Sequence, residues 1–444
     1  MRVIGMYKKG LLGHGGAAAP AKIYGVSWSG ASSPTLTRTD ASVGMVAAAG
    51  VDATPVTNNF DTAEIYKDII DGVTDSYGNV FVRIPKFYIE KTAVGAARTW
   101  RISKQPFGNA YLPACFANAN YVDVGKYNAN KNGTKLESKS GNAPYINDTI
   151  VNFRTFAQNN GAGYYQMDIH VIDILRTLFY VEFATLNSQS IMNGWVNGQY
   201  VATHLATVAE SAVNRIIVAN ATAALYAVGQ TISIGTLQGG NQIFYGRTIT
   251  GITTYDGLNK AIAFDGGTVN IAIGNYLYNT GWISGFSASI AAKSGSPASN
   301  SDGLHPCMYR GVENPWGSVY QFIDGVNIAA DYQAWVCRTP ASYASNLFAA
   351  PYVQLGYANA NADGYSEVMG FDVANPFAEF PVTLGGASNT YYADYCYRST
   401  GQRIARLGGY WYSGALAGLS CWSLLCASSD VFVGLSGRLL KTPL

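Results

Sequence analysis

The chain has 444 residues, with 29 Lys or Arg against 27 Asp or Glu and a formal charge of +2 at pH 7. A balance this close to neutral, without a basic run, argues against a nucleic-acid partner, and no stretch is long and apolar enough for membrane insertion. The 49 Gly, 15 Pro and 31 Tyr predict a turn-rich α+β chain dominated by β structure, and tyrosine suits a recognition surface because it gives wide contact at low entropy cost.

Residues 1–59 open with a Gly/Ala segment (10–21) that cannot bury enough surface to order itself. A β-like run at 22–28 follows, and the whole is read as a short β/coil attachment or trimer-contact region. From residue 60 the pattern tightens. Val80, Val82 and Ile84 alternate as a strand, with Pro85 marking an edge or bend. Residues 87–90, 99–103 and 111–116 are further predicted strands. Residues 118–152, rich in Asn, Gly and Lys, are expected to make a long surface excursion.

The clearest helix spans 168–187, where Ile172, Leu175, Phe179, Phe183 and Leu186 recur on one apolar face. Asp168 is placed to accept the free amides of its first turn. Glu182 lies beside the apolar face and calls for a structural partner there. These elements form the first part of a core, residues 60–195.

Residues 196–301 differ in character. Short β-prone runs at 224–226, 231–234, 243–245, 248–252, 261–264 and 269–273 alternate with turns, including Asp-Gly pairs at 256–257 and 265–266. This spacing predicts an inserted β-rich domain, closed by the Ser/Gly/Pro linker 294–303. The core resumes over 302–444 with HPCMYRGVENPWGSVYQFIDGVNI at 305–328. There Glu313 and Asn314 are suited to satisfy loop backbone groups, while Trp316 anchors a core around Val319, Phe322 and Ile323.

The segment 403–438, RIARLGGYWYSGALAGLSCWSLLCASSDVFVGLSGR, carries a single charge, Asp430, between Arg406 and Arg438. Gly409, Trp411, Gly414 and Trp422 read as a scaffold of close-approach positions and indole anchors, with Arg438 at its end. The positions between them are Tyr410, Tyr412, Ser413, Leu416, Ser420, Cys421, Ser423, Leu425, Cys426, Asp430, Phe432 and Gly434. They follow neither a strand nor a helix period, so something other than packing selects them.

The pattern YRGxENxWGxxxxFxDG resembles the core motif shared by formylglycine-generating enzymes, phage tail proteins and diversified lectin-like proteins. GGxWxxGxxAGxxxWxLxxASS, followed by GRLLK, resembles the variable segment of phage tail proteins diversified by retroelements. The resemblance implies a C-type-lectin-like fold in a homotrimeric receptor-binding protein, joined to other tail proteins at the tip or fibre of a virion tail. It also implies that the twelve intervening positions are scattered by miscopying of adenines in AAC codons and are displayed to a host cell-surface receptor, protein or glycan. Tyr, Ser, Leu, Cys, Asp, Phe and Gly are all reachable from AAC in this way; Asn, which family members often keep, stands at none of the twelve.

No cofactor is expected. In sugar-binding lectins a Glu-Asn pair can ligate calcium, but a structural role is the expectation for Glu313 and Asn314. The alternative reading is a formylglycine-generating-type oxidase using Cys421 and Cys426, against which stands the lack of a basic neighbour to activate either thiol. Cys115, Cys307, Cys337 and Cys396 are expected to be free, buried thiols.

Overall fold

The computed structural model describes residues 21–443, so the Gly/Ala segment lies outside the described residues except for Ala21. The protein is β-rich α+β, with seven hydrogen-bonded sheets among the described residues and one long helix, Ile169–Phe183. The helix starts where expected: Asp168 accepts the Val171 amide at 2.9 Å. It stops at Ala184, which adopts a left-handed φ of 52°, and Arg38 donates to the last carbonyls, those of Val181 and Glu182. A cation there also complements the negative end of the helix dipole.

The one-sided apolar face needs correction, because all fifteen residues of this helix are buried. Its polar side chains are covered as well, and the main ones meet partners from distant segments. Glu182 accepts from Arg310 Nε at 2.9 Å and Nη2 at 2.6 Å, from Asn58 at 2.7 Å and from the Tyr309 hydroxyl at 3.0 Å. Asp173 pairs with Lys91, whose Nζ also reaches Glu379 at 2.6 Å, and Arg176 completes that cluster. The structural partner that Glu182 required is therefore Arg310.

Sheets close around the helix. One runs in the order Thr37–Asp40, Ile23–Trp28, Ala97–Ser103, Tyr88–Val94, and its Trp100 meets Tyr180 of the helix edge-on at 5.3 Å. Tyr24, Val26, Trp28 and Leu36 are buried in the main core, so the strand Ile23–Trp28 belongs to the packed body of the protein. A five-stranded sheet runs Tyr164–Gln166, Leu439–Lys441, Tyr121–Gly125, Val80–Pro85, Ile70–Thr74.

Several sequence expectations change here. Tyr121–Gly125 is a central strand with Val122 and Val124 fully buried, and Ile150–Gln158 is a helix; residues 118–152 are not a surface excursion. Val80–Pro85 is flanked on both sides, so Pro85 marks a strand end and not an edge. Residues 111–116 form a bridge at Tyr111 and a 3-10 turn at Ala114–Phe116 instead of a strand.

In the largest sheet, Tyr320–Ile328 pairs with Ala334–Val336, with Arg403–Gly408 and, in parallel, with Leu435–Ser436. Arg403–Gly408 pairs with Gly418–Leu424. The two sequence motifs are thus adjacent strands.

Between residues 210 and 279 a five-stranded sheet (Arg215–Ala219, Asn259–Phe264, Gly240–Thr254, Thr231–Leu237, Tyr276–Asn279) has its own apolar cluster around Ile216, Ile232, Ile262, Phe264 and Leu277. The runs 243–245 and 248–252 are one bulged strand, Gly240–Thr254. Residues 224–226 follow a helical turn, Asn220–Ala223, and are not a strand. The Asp265-Gly266 turn does not join paired strands, since Val269–Ile271 pairs with Glu210–Val213. A mixed cluster of Trp195, Tyr278, Val319, Trp411 and Val433 seats this sheet against the C-terminal segment. No helix among the described residues is long and apolar enough to cross a membrane.

Because Glu182 is fully buried, Arg310→Met leaves an unpaired buried carboxylate. We expect it to cost about 3–5 kcal/mol of unfolding free energy, with part of the loss recovered in the Glu182→Gln, Arg310→Met double variant. Urea denaturation midpoints of the three proteins check this.

Candidate binding site

The segment 403–438 is held by a rigid frame. Trp411 and Trp422 are both fully buried; Trp422 packs on Phe380 at 4.7 Å and donates to the Glu379 carbonyl at 3.1 Å. Trp316, under the neighbouring strand, donates to the Met192 carbonyl at 3.1 Å. Gly409 sits at φ 79°, and a Cβ there would lie 2.6 Å from that of Ala417, so the turn admits only glycine. Gly414 opens a 3-10 turn, Gly414–Leu416, and donates its amide to the Val196 carbonyl at 2.9 Å.

At the end of the segment Arg438, with no exposed surface, donates to Gln321 Oε1 at 2.8 Å and to the carbonyls of Gly125 (2.8 Å), Lys126 (3.1 Å), Glu313 (2.6 Å) and Asn314 (3.0 Å). Burial pulls its pKa down to about 9, partly offset by Glu313. Both Glu313 carboxylate oxygens accept backbone amides, from Gly285 at 2.9 Å and Ser287 at 2.8 Å. Asn314 adopts φ 48° and donates its amide to the Cys307 carbonyl at 2.7 Å. The motif pair thus organises loops, and no group of three or more His, Cys, Asp or Glu among the described residues is arranged to hold a metal.

The twelve interposed positions divide into two layers. Tyr412 and Asp430 are exposed, and Tyr410, Leu416, Leu425 and Phe432 are half-buried. Ser413, Ser420, Cys421, Ser423, Cys426 and Gly434 are buried. For these six, direct display to a partner is corrected: the frame turns them inward, and of the six only Cys426 reaches the pocket described next.

Tyr410, Leu425, Cys426, Asp430 and Phe432 gather around an open cavity of about 690 Å³, and five residues from outside the set of twelve complete it: Ser429, Val431, Tyr320, Tyr397 and Arg406. The size is that of a small-molecule pocket, roughly 300–1,000 Å³. Tyr410 stacks on Tyr320 with centroids 5.6 Å apart and meets Phe432 edge-on at 5.5 Å. The Arg406 guanidinium lies over the Tyr320 ring at 4.6 Å. Tyr200, which sequence reasoning missed, extends the aromatic surface from the irregular segment ahead of the Arg215–Asn279 sheet, facing Trp411, Tyr412 and Phe432 at 6.1, 6.2 and 6.4 Å. Arg406 could have been singled out in the sequence, as the last cation before an almost uncharged segment, flanked by Ala405 and Leu407.

The buried layer sets the exposed one. The Ser423 hydroxyl accepts from Arg406 Nε at 2.9 Å and so fixes the guanidinium. The Ser413 hydroxyl accepts the Tyr410 amide at 2.9 Å. A Cβ at Gly434 would stand 2.7 Å from both the Phe432 and Tyr410 rings, so the absence of a side chain there lets the two walls meet. Ser420 bonds the hydroxyl of Tyr180 on the central helix at 2.7 Å.

All six cysteines are free and buried, as expected for Cys115, Cys307, Cys337 and Cys396. Burial pushes the Cys421 thiol well above its usual range, Asp394 adding to the effect, and it also raises that of Cys426, against a lowering contribution from Arg406.

Comparison with protein-family models and with curated proteins returns no match.

The two layers predict opposite tolerances. Ser420→Leu, which forces extra volume against Tyr180, should cost about 1–3 kcal/mol. Tyr412→Ser, at a side chain 46 % exposed, should stay within about 0.5 kcal/mol. Denaturant titration of both variants measures the difference.

Proposed function

We propose that this chain is a phage tail receptor-binding protein, an adhesin whose C-type-lectin-like scaffold holds the segment 403–438 against a host surface molecule. The observation that carries the reading is the solvent-open aromatic pocket, walled largely by the interposed positions Tyr410, Leu425, Asp430 and Phe432 and supported by a frame of buried indoles and Arg438. Aromatic side chains over a fixed frame give contact area with little ordering cost. In this reading the protein sits at the tip or fibre of the tail beside other tail proteins, as a homotrimer, so that weak single contacts combine into firm adsorption. Retroelement copying would then vary the pocket both directly, through its walls, and from beneath, through Ser413, Ser423 and Gly434.

The oxidase alternative requires a thiolate at Cys421 or Cys426. Burial of both thiols favours the protonated form, which is the weaker nucleophile, and this supports adhesion over oxidation.

Beads carrying the protein should retain cells of the bacterium in which the particles propagate. Tyr410→Ala and Phe432→Ala should each lower retention roughly tenfold, the equivalent of about 1.4 kcal/mol, while Val373→Ser, at a remote and 84 % exposed residue, should have no effect. Retention that ignores the pocket variants, or a peptide-thiol oxidation lost in Cys421→Ser, Cys426→Ser, would reverse the assignment.

A further inference from the structure

Six arginines are buried in the described chain: Arg98, Arg176, Arg310, Arg398, Arg406 and Arg438. Five have their charge answered within the protein. Arg310 and Arg176 face Glu182 and Glu379, and Arg98, Arg398 and Arg438 donate to backbone carbonyls. Arg406 is different. It is only 7 % exposed, its Nε is taken by Ser423, and its two terminal nitrogens meet neither a carboxylate nor a carbonyl among the described residues. It lines the aromatic cavity instead. Its Nη pair has no counter-charge of its own and opens onto the cavity, with the fork geometry that receives a carboxylate through two parallel hydrogen bonds.

The rest of the pocket says what the carboxylate is attached to. Tyr410 and Phe432 offer ring faces and edges for a partly apolar ring, and Ser429 and Asp430 stand on the lining as polar groups. Asp430, outside ion-pair range of Arg406, accepts hydrogen bonds from hydroxyls and repels a second negative charge. A group carrying one carboxylate, several hydroxyls and a ring satisfies all of these at once. A phosphate dianion conflicts with Asp430, and an acidic peptide side chain leaves its acceptors unused.

We infer that the pocket binds a carboxylated saccharide unit, its carboxylate on the Arg406 Nη pair and its ring against Tyr410 and Phe432. The inference rests on the adhesin reading and names the class of receptor that the pocket takes.

Ligand-observed NMR on the full chain tests it with methyl glucuronoside, its methyl ester, methyl glucoside, a sialic acid methyl glycoside, inorganic phosphate and a capped glutamyl peptide. The uronoside, the sialoside or both should bind at least tenfold more tightly than the ester and the neutral glucoside, and the stronger of the two tells hexuronic from nine-carbon acid sugars. Arg406→Gln should abolish binding, Arg406→Lys should weaken it, and Asp430→Asn should relax the preference against phosphate. Equal binding of acid and ester by the unmodified chain, or binding of phosphate or the peptide alone, overturns the inference without any need for a variant. Retention of host cells with no acid sugar bound defeats the ligand class and leaves adhesion standing, whereas acid-sugar binding without retention defeats adhesion alone.

Discussion

One guanidinium holds the architecture of this chain together. Arg438 reaches carbonyls from two places distant in sequence and a glutamine on a strand of the largest sheet, and no carboxylate accepts from it, Glu313 acting only at longer range. Backbone dipoles carry the neutralisation of a charge that would otherwise be prohibitive at zero exposure. The geometry depends on a planar group with five donors, so lysine, with a single ammonium on a flexible stem, cannot span the same set of acceptors. By fixing the Glu313–Asn314 turn and residues 125–126 against the end of the segment, Arg438 makes one rigid body from parts of the chain more than three hundred residues apart.

On that base, the C-terminal segment separates what is fixed from what is free. The indoles and Gly409 have no alternative neighbours, whereas the surface side chains touch mainly one another and a cavity. Between them lies a layer of small residues whose identities decide where the surface groups point. Ser423 aims Arg406, and Gly434 lets Tyr410 and Phe432 close up. Changes at hidden positions can therefore reshape the opening without adding any atom to its surface.

The sequence revealed those elements whose cause is local. Asp168 and the apolar spacing behind it announce the helix, because capping and periodicity are properties of a few consecutive residues. That the helix is buried on all sides was not legible, since it depends on Lys91, Arg310 and Glu379 arriving from elsewhere to meet Asp173, Glu182 and Arg176. The strand Tyr121–Gly125 was hidden by the Asn- and Lys-rich residues around it, although its own Val122 and Val124 alternate. In the pocket, Tyr410, Leu425, Cys426, Asp430 and Phe432 were singled out by their lack of periodicity, whereas Ser429, Val431 and the inward or outward direction of each side chain were not. Tyr320, Tyr397 and Arg406 carried no local signal of a shared site, because pairing between strands far apart in the chain is what brings them to the cavity wall.

The last described strand, Leu439–Lys441, lies between Tyr121–Gly125 and Tyr164–Gln166. Its place gives the fold a built-in censor. A copy that loses its reading frame or meets a stop anywhere in the segment before it arrives without the bridging strand, leaving two strand edges open and Arg438 missing. Such a chain lacks what closes the fold, so any molecule that presents the cavity around Tyr410 and Phe432 has been translated through to Lys441.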